Sequence, residues 1–461
     1  MKPTNNTWNI IVVILLLTGC GDTFLDQKPE LALIVPNSLA DFQELLDNPG
    51  LNRTSALPQL SCDDYYIISE EDWFGTFTAT ERHAYIWHED VFGGEIDREE
   101  WLVPYTSVLY ANAILDGLRD IAVTNENLIQ HNNIRGQAHF VRAWSFFDIA
   151  VNWAPPYDEN TADADRGIPL KLTPNVDEIV KRSSVSETYD QIISDLKIAI
   201  PLLEPEVTSL RNRASKPAAF ALLSRVYLNM RKYDLAELYV DSCLAIYGEL
   251  IDYNTIDKNT STPFDNSNDE SIFYATQVGT GYNNALPELG NINIDTALLN
   301  SYENGDLRRD VYFSTHPASG LTRSKRRYAA TSRNTYTGLA TDEMYLIKAE
   351  CAARRGDVST GLKYLNTLLV NRFEPGTFSP YINGNSSEVL EKIIAERRKE
   401  LVWRGNLRWC DLRRLNKEGA EITLVRKIGN KTYTLEPNSP RWTFNIPEDE
   451  IARSGIQQNE R

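Results

Sequence analysis

The sequence predicts an all-α protein, a scaffold of tetratricopeptide-like helical hairpins carrying long irregular insertions. Apolar residues recur at intervals of three and four over 101–119, 131–152, 186–203, 217–247, 341–371 and 387–415, the spacing that puts them on one face of a helix. Two of these segments share one plan, in which a helix, a short polar turn and a second helix follow one another. The stretches 50–100, 153–185 and 248–340 show no such period. They are rich in Asn, Thr, Ser, Gly, Asp and aromatic residues. Structureless runs of more than about 15 residues are usually functional or disordered, and the aromatic content argues against disorder.

The chain opens on Lys2, an apolar run from Ile10 to Leu17, and Thr18-Gly19-Cys20. A positive start, a short apolar stretch and small residues describe an export signal. The run has eight residues, well short of the roughly 20 needed to span a bilayer. Leu17-Thr18-Gly19-Cys20 resembles a bacterial lipobox. The expectation is a signal peptide over 1–19, a lipid-bearing Cys20 and a mature body over 20–461. Buried acyl chains contribute about 0.8 kcal/mol per methylene, so more than one chain gives stable anchoring.

Among the helical segments, Ser186 with Glu187 and Thr341 with Asp342 are expected as helix caps, and Pro217 suits a first helical turn. In the first hairpin, Leu223, Ser224 and Tyr227 precede a turn at 231–234, and Ala236, Val240 and Cys243 follow it. In the second, Ala349 and Ala352 precede Arg355-Gly356-Asp357, and Gly361, Leu365 and Leu368 follow. Ser224 lies twelve residues before Ala236, and Ala349 twelve before Gly361. Small residues at that spacing let two helices of a tetratricopeptide pair approach closely.

A formal charge of −17 argues against nucleic acid as a partner and against electrostatic attachment to anionic lipid. Cys62, Cys243, Cys351 and Cys410 form no CxxC pair, and the last three read as buried thiols. Five histidines offer no HExxH spacing, and no GxSxG, phosphate loop or dinucleotide fingerprint occurs. No metal, cofactor or catalytic role is expected. The acidic run Glu70-Glu71-Asp72 reads as a solvated loop.

Twenty-two tyrosines and nine tryptophans are a more informative feature, since amphipathic aromatics suit exposed binding surfaces. Sugar recognition needs flat rings for the C–H faces of pyranoses, with Asp, Asn or Arg to pair hydroxyls. Asp63, Asp64, Trp73 and Phe74 in the first insertion supply both kinds of group, as do Tyr282 and Asn283 in the third. These six residues are the expected ligand contacts. Trp101 and Tyr302 are assigned to packing.

Further motifs run nearly the length of the chain. They are Cys20-Gly-Asp-Thr-Phe-Leu-Asp26 with Pro29, then Trp101, Tyr105 and Asn112, then Arg135-Gly-Gln-Ala-His-Phe-Val-Arg-Ala-Trp-Ser-Phe-Phe147. Glu343-Met-Tyr-Leu-Ile-Lys-Ala-Glu350 with Gly356-Asp357 comes next, followed by Glu396-Arg-Arg-Lys-Glu-Leu401 and Arg408-Trp-Cys-Asp-Leu-Arg-Arg414. The tail carries Ile446-Pro447, Glu450-Ile451 and Gln458-Asn459. In this order the chain resembles the SusD/RagB family of outer-membrane lipoproteins. It departs at Arg404, where many relatives carry an acidic residue. Glu396, Arg397, Arg398 and Glu400 are expected to pair along their own helix, each pair contributing ~0.3–0.5 kcal/mol.

The resemblance implies a SusD-like domain over 20–461, with helical repeats over about 101–247 and 341–415. It also implies a surface lipoprotein that captures an oligosaccharide and passes it to a SusC-like TonB-dependent transporter in the outer membrane. Three other readings stay open: a peptide-binding uptake protein on the same scaffold, a tetratricopeptide-type interaction scaffold, and a glycosidase with two carboxylates roughly 5–10 Å apart.

Overall fold

Ten helices of eight or more residues are found among the described residues, which are 36–96, 99–279 and 282–461 of a computed structural model. Residues 1–35, with the expected signal and Cys20, lie outside them. The body is Ser38–Arg461. Its helices are α1 (Leu39–Leu46), α2 (Leu102–Gly117), α3 (Leu128–Trp153), α4 (Val185–Ala199), α5 (Lys216–Asn229), α6 (Tyr233–Leu244), α7 (Thr341–Arg354), α8 (Val358–Leu369), α9 (Ser386–Glu400) and α10 (Leu407–Asn416). All six periodic segments are therefore helical, and α1, whose Leu39, Phe42 and Leu46 recur at three and four behind a capping box at Ser38, is an addition to them.

The helix starts follow local chemistry, at positions slightly different from those expected. Ser184, rather than Ser186, caps α4: its hydroxyl accepts from Glu187 N–H, and the Glu187 carboxylate returns to the Ser184 N–H. This closed capping box satisfies two otherwise orphaned donors. Thr341 is already helical, and Ala340 precedes it with no side-chain cap. Ser215 caps α5 with Pro217 in the first turn, as the proline predicts.

Helices α2, α3 and α4 pack in sequence, and α4 meets α5. Helices α5 and α6 form one hairpin and α7 and α8 the other. Although 96 residues separate them in sequence, α6 packs directly on α7, which in turn packs on α9. The small residues meet as their spacing predicts. Ser224 Oγ donates to Ala236 O over 3.0 Å. A Cβ added at Gly361 would sit 3.2 Å from Ala349 O, tighter than ordinary van der Waals contact. This geometry is compatible with tetratricopeptide-like pairs. A large aromatic and aliphatic core, including Phe146, Trp153, Leu222 and Val226, fills the space between these layers.

The stretch 248–340 leaves the scaffold after α6 and returns at α7. Its two ends are pinned together. Tyr345 Oη donates to Gly248 O over 3.0 Å, and Thr341 Oγ1 donates to Glu249 O over 2.5 Å. Between them it contributes Tyr253, Phe264, Leu298, Tyr312 and Tyr328 to a second buried cluster that also takes in Tyr65, Tyr85 and Trp403. The first insertion is not irregular throughout: it holds the short helices Leu57–Ser61, Glu70–Phe74 and Ala79–Tyr85 and the strand Tyr65–Ile67. That strand pairs antiparallel with Ile292–Ile294, placing Tyr65 opposite Ile294. Two insertions are thereby zipped together through strands more than 200 residues apart in sequence.

The charged run of α9 differs from expectation. Of its pairs, only Lys399 with Glu396 forms along the helix, at 2.5 Å. The others reach across the body: Arg397 to Asp411, Arg398 to Asp63, Glu396 to Arg308, and Glu400 to both Arg308 and Arg372. Most of these groups are buried, so they act as internal cross-links and not as a solvated helix face. Arg404, the departure from the family pattern, is buried 2.8 Å from Asp342. All four described cysteines, Cys62 included, are buried free thiols.

Candidate ligand-binding surface

The paired strands hold the first and third insertions side by side, and the expected contact residues differ in burial. Ser69 caps the helix Glu70–Phe74, accepting from Asp72 N–H at 3.0 Å. The next helix, Ala79–Tyr85, is capped in the same way by Thr78. The connection between them is braced by Arg82, which donates to Thr76 O over 2.5 Å. This pair of short helices supports an aromatic display. The Trp73 and Phe74 rings lie 4.9 Å apart, tilted by 59°. Trp73 is half-buried and donates from Nε1 to Arg82 O over 3.3 Å. Phe74 is 64% exposed, and Phe77, which sequence reading passed over, is 72% exposed.

The third insertion abuts the same two helices. Asn284 donates from its backbone N–H to Glu81 Oε1 over 2.9 Å, and its side chain approaches Thr76 Oγ1 at 3.4 Å. Asn283 is exposed beside it, whereas Tyr282 is buried in the main core. Burial raises the Glu81 carboxyl to about 7, against the opposing hydrogen bonds from Asn284 and Thr78. Its Oε2 is buried without a hydrogen-bond partner. Neither Phe77 nor Glu81 falls in a recognisable motif. The compact string Trp73-Phe74-Gly75-Thr76-Phe77 is the one signal that points to Phe77.

The two aspartates are engaged by the fold. Asp63 takes a bidentate pair from Arg408 at 2.7 and 2.8 Å and a third contact from Arg398 at 3.2 Å. Burial alone would raise its carboxyl, but the two guanidinium groups hold it well below the usual carboxylate range. Asp64 is almost fully buried and accepts from Trp403 N–H over 3.0 Å. Burial, with Asp63 next to it, raises its carboxyl. Asp64 and Tyr282 are buried in the fold, which departs from the direct contact expected of them. Trp73, Phe74 and Asn283 remain open to solvent. Trp101 and Tyr302 are buried, as assigned.

Among the described residues, no group of three or more His, Cys, Asp or Glu side chains is placed to hold a metal ion. No described helix is long and apolar enough to cross a membrane. Fold and surface define a helical-repeat protein that displays aromatic rings on braced loops.

Comparison with known proteins is consistent with that class. Residues 23–228 match a family described as starch-binding and associating with outer membrane, and residues 249–459 match the SusD family. The two stretches span nearly the whole chain, and the chain belongs to the SusD family. No curated protein matches it. Among solved structures, a SusD superfamily protein from Bacteroides thetaiotaomicron superposes with a TM-score of 0.72 at 21% identity, covering 92% of this chain and 100% of its own. A SusD-like carbohydrate binding protein from Bacteroides vulgatus gives 0.67 at 20%, covering 91% and 97%. Surface glycan-binding protein A from Bacteroides fluxus gives 0.68 at 18%, covering 92% and 99%. At these identities the likeness is one of fold.

Proposed function

We propose that this protein is a non-enzymatic glycan-binding lipoprotein of the outer membrane, anchored through Cys20 and facing the cell surface. It captures an oligosaccharide and delivers it to a SusC-like TonB-dependent transporter. The observation that carries the reading is the exposed rings of Phe74 and Phe77, with half-buried Trp73 against Phe74, beside the polar turn at Asn283, on a family scaffold described as starch-binding. Flat rings take the C–H faces of pyranoses, and the Asn283 amide offers both a donor and an acceptor to hydroxyls. Asp63 keeps its two carboxylate oxygens on Arg408 and Arg398, a bracing role distinct from that of a general acid or nucleophile. Micromolar to millimolar affinity, about −4 to −8 kcal/mol, suits a protein that must release its ligand onward.

Calorimetry against a glycan panel, with a peptide panel beside it, tests this directly. Replacing both Trp73 and Phe74 by Ala is expected to weaken binding of the cognate glycan by roughly tenfold or more, about 1.4 kcal/mol. The melting temperature should change little, because neither ring sits in the deep core. Unaltered glycan affinity in the folded variant, or binding confined to the peptides, would overturn the reading.

A further inference from the structure

A second cavity, of about 490 Å³, lies where the end of α2, one face of α3 and the loop at 172–174 meet. It shares no lining residue with the aromatic surface. His131, Arg135, His139 and Arg142 line it from successive turns of α3, and Arg119 faces them from beyond α2. In a chain of formal charge −17 this is a concentration of cationic side chains. The two carboxylates nearby are committed. Asp195 receives Arg142 through Nε at 2.9 Å and Nη2 at 2.6 Å, and contacts His139 Nδ1 at 2.7 Å. Asp116 pairs with Arg119 at 2.9 Å. Arg135 is exposed and has no ion pair among the described residues.

The cavity is held in shape by interactions of its own. Arg142 Nη1 donates to Asn112 Oδ1 over 2.8 Å, and Asn112 Nδ2 donates to Lys171 O and Thr173 O at 2.9 and 3.2 Å. The rim loop is thereby tied to the helix carrying the floor. Leu115, Leu118, Leu172 and Pro174 supply an apolar wall. Arg142 is neutralised on Asp195 and Arg119 is paired with Asp116, which leaves Arg135 at the mouth as the uncompensated cation, and beside the apolar wall it fits an anionic group on a compact carbon framework. A volume of this order holds a small molecule of monosaccharide to disaccharide size.

We propose that this cavity is a second binding site, one that takes a small sugar-sized ligand bearing a carboxylate or phosphate, with Arg135 as its anion contact. It stands apart from the neutral-glycan reading of the aromatic surface. Calorimetric titration at low salt with glucuronate, glucose 6-phosphate and glucose tests it, using wild type, Arg135→Glu and the Trp73→Ala, Phe74→Ala double variant. Saturable binding of glucuronate or glucose 6-phosphate, but not of glucose, is expected, and the better ligand identifies which oxyanion the site takes. Arg135→Glu should lose about tenfold or more of that affinity without a change in melting temperature. The aromatic double variant should keep it. Absence of binding by both anions, equal binding of glucose, or unchanged affinity in Arg135→Glu would overturn the assignment.

Discussion

Glu81 ties the first insertion to the third, and its ionisation should register in stability. Burial raises its carboxyl from 4.5 to about 7. The native state therefore keeps the proton over a pH range in which the unfolded chain has released it. With more protons bound in the native than in the unfolded state, stability falls as pH rises through that window, and the loss is complete above about 7. At about 1.4 kcal/mol per tenfold, the cost at pH 8 is about 3 kcal/mol, and it stays below about 1 kcal/mol at pH 5. Glu81→Gln keeps an oxygen for the Asn284 N–H and cannot ionise. Any constant cost of the amide cancels when the two pH values are compared. Thermal unfolding of wild type and variant at pH 5 and pH 8 should show the variant gaining on wild type by about 2–3 kcal/mol between the two conditions. Asp148 is likewise raised to about 7 by burial, but it is present in both proteins and drops out of the difference. An equal gap between wild type and variant at both pH values would refute the reasoning.

Other expected outcomes follow from packing and charge. Gly361→Leu should overpack the crossing with Ala349 and cost roughly 1–3 kcal/mol, read as a lowered denaturation midpoint. Arg372→Met should leave the buried carboxylates of Glu270 and Glu400 without one of their cations and destabilise by roughly 3–5 kcal/mol in chemical denaturation. Cys20→Ala should release the protein from the membrane fraction or block its processing. Mass spectrometry of native protein checks the same point, since an unmodified Cys20 would contradict the anchor.

The helices were legible because a buried face leaves a periodic trace in the sequence, and the twelve-residue spacing of Ser224 to Ala236 and Ala349 to Gly361 reported real contacts. Cap positions were less legible. Ser184 and Ser186 are both plausible by type, and the reciprocal bond to Glu187 decides for Ser184. Ion pairing in α9 was misjudged because a one-dimensional reading sees neighbours at four residues. Arg308, Arg372 and Asp411 come from elsewhere in the chain. At the aromatic surface, composition points to two insertions but does not sort adjacent residues by burial. Tyr282 turns into the core while Asn283 faces water, and Asp64 is buried while Phe74 is exposed. The partners that bury Asp64 and Tyr282 lie far away in the chain, Trp403 for the one and the main core for the other, and leave no local signature. The basic cavity was hidden for the same reason, since its α3 residues lie within a stretch that otherwise marks the family.

The pinned base of the 248–340 stretch has a consequence for how such a protein can diversify. Because chain exit and re-entry are held together by Tyr345 and Thr341, the stretch is closed at its base where α6 stacks on α7. The entropic cost of closing such a loop grows only slowly with its length, by about 0.6 kcal/mol per doubling. The segment is fixed to the body through Ile272 and Phe273 in the main core and through a cluster shared with Tyr65 and Trp403, whereas outer turns such as 314–320 are exposed. Ligand preference can therefore drift under selection through such outer turns while the buried part of the stretch and the helices stay constant.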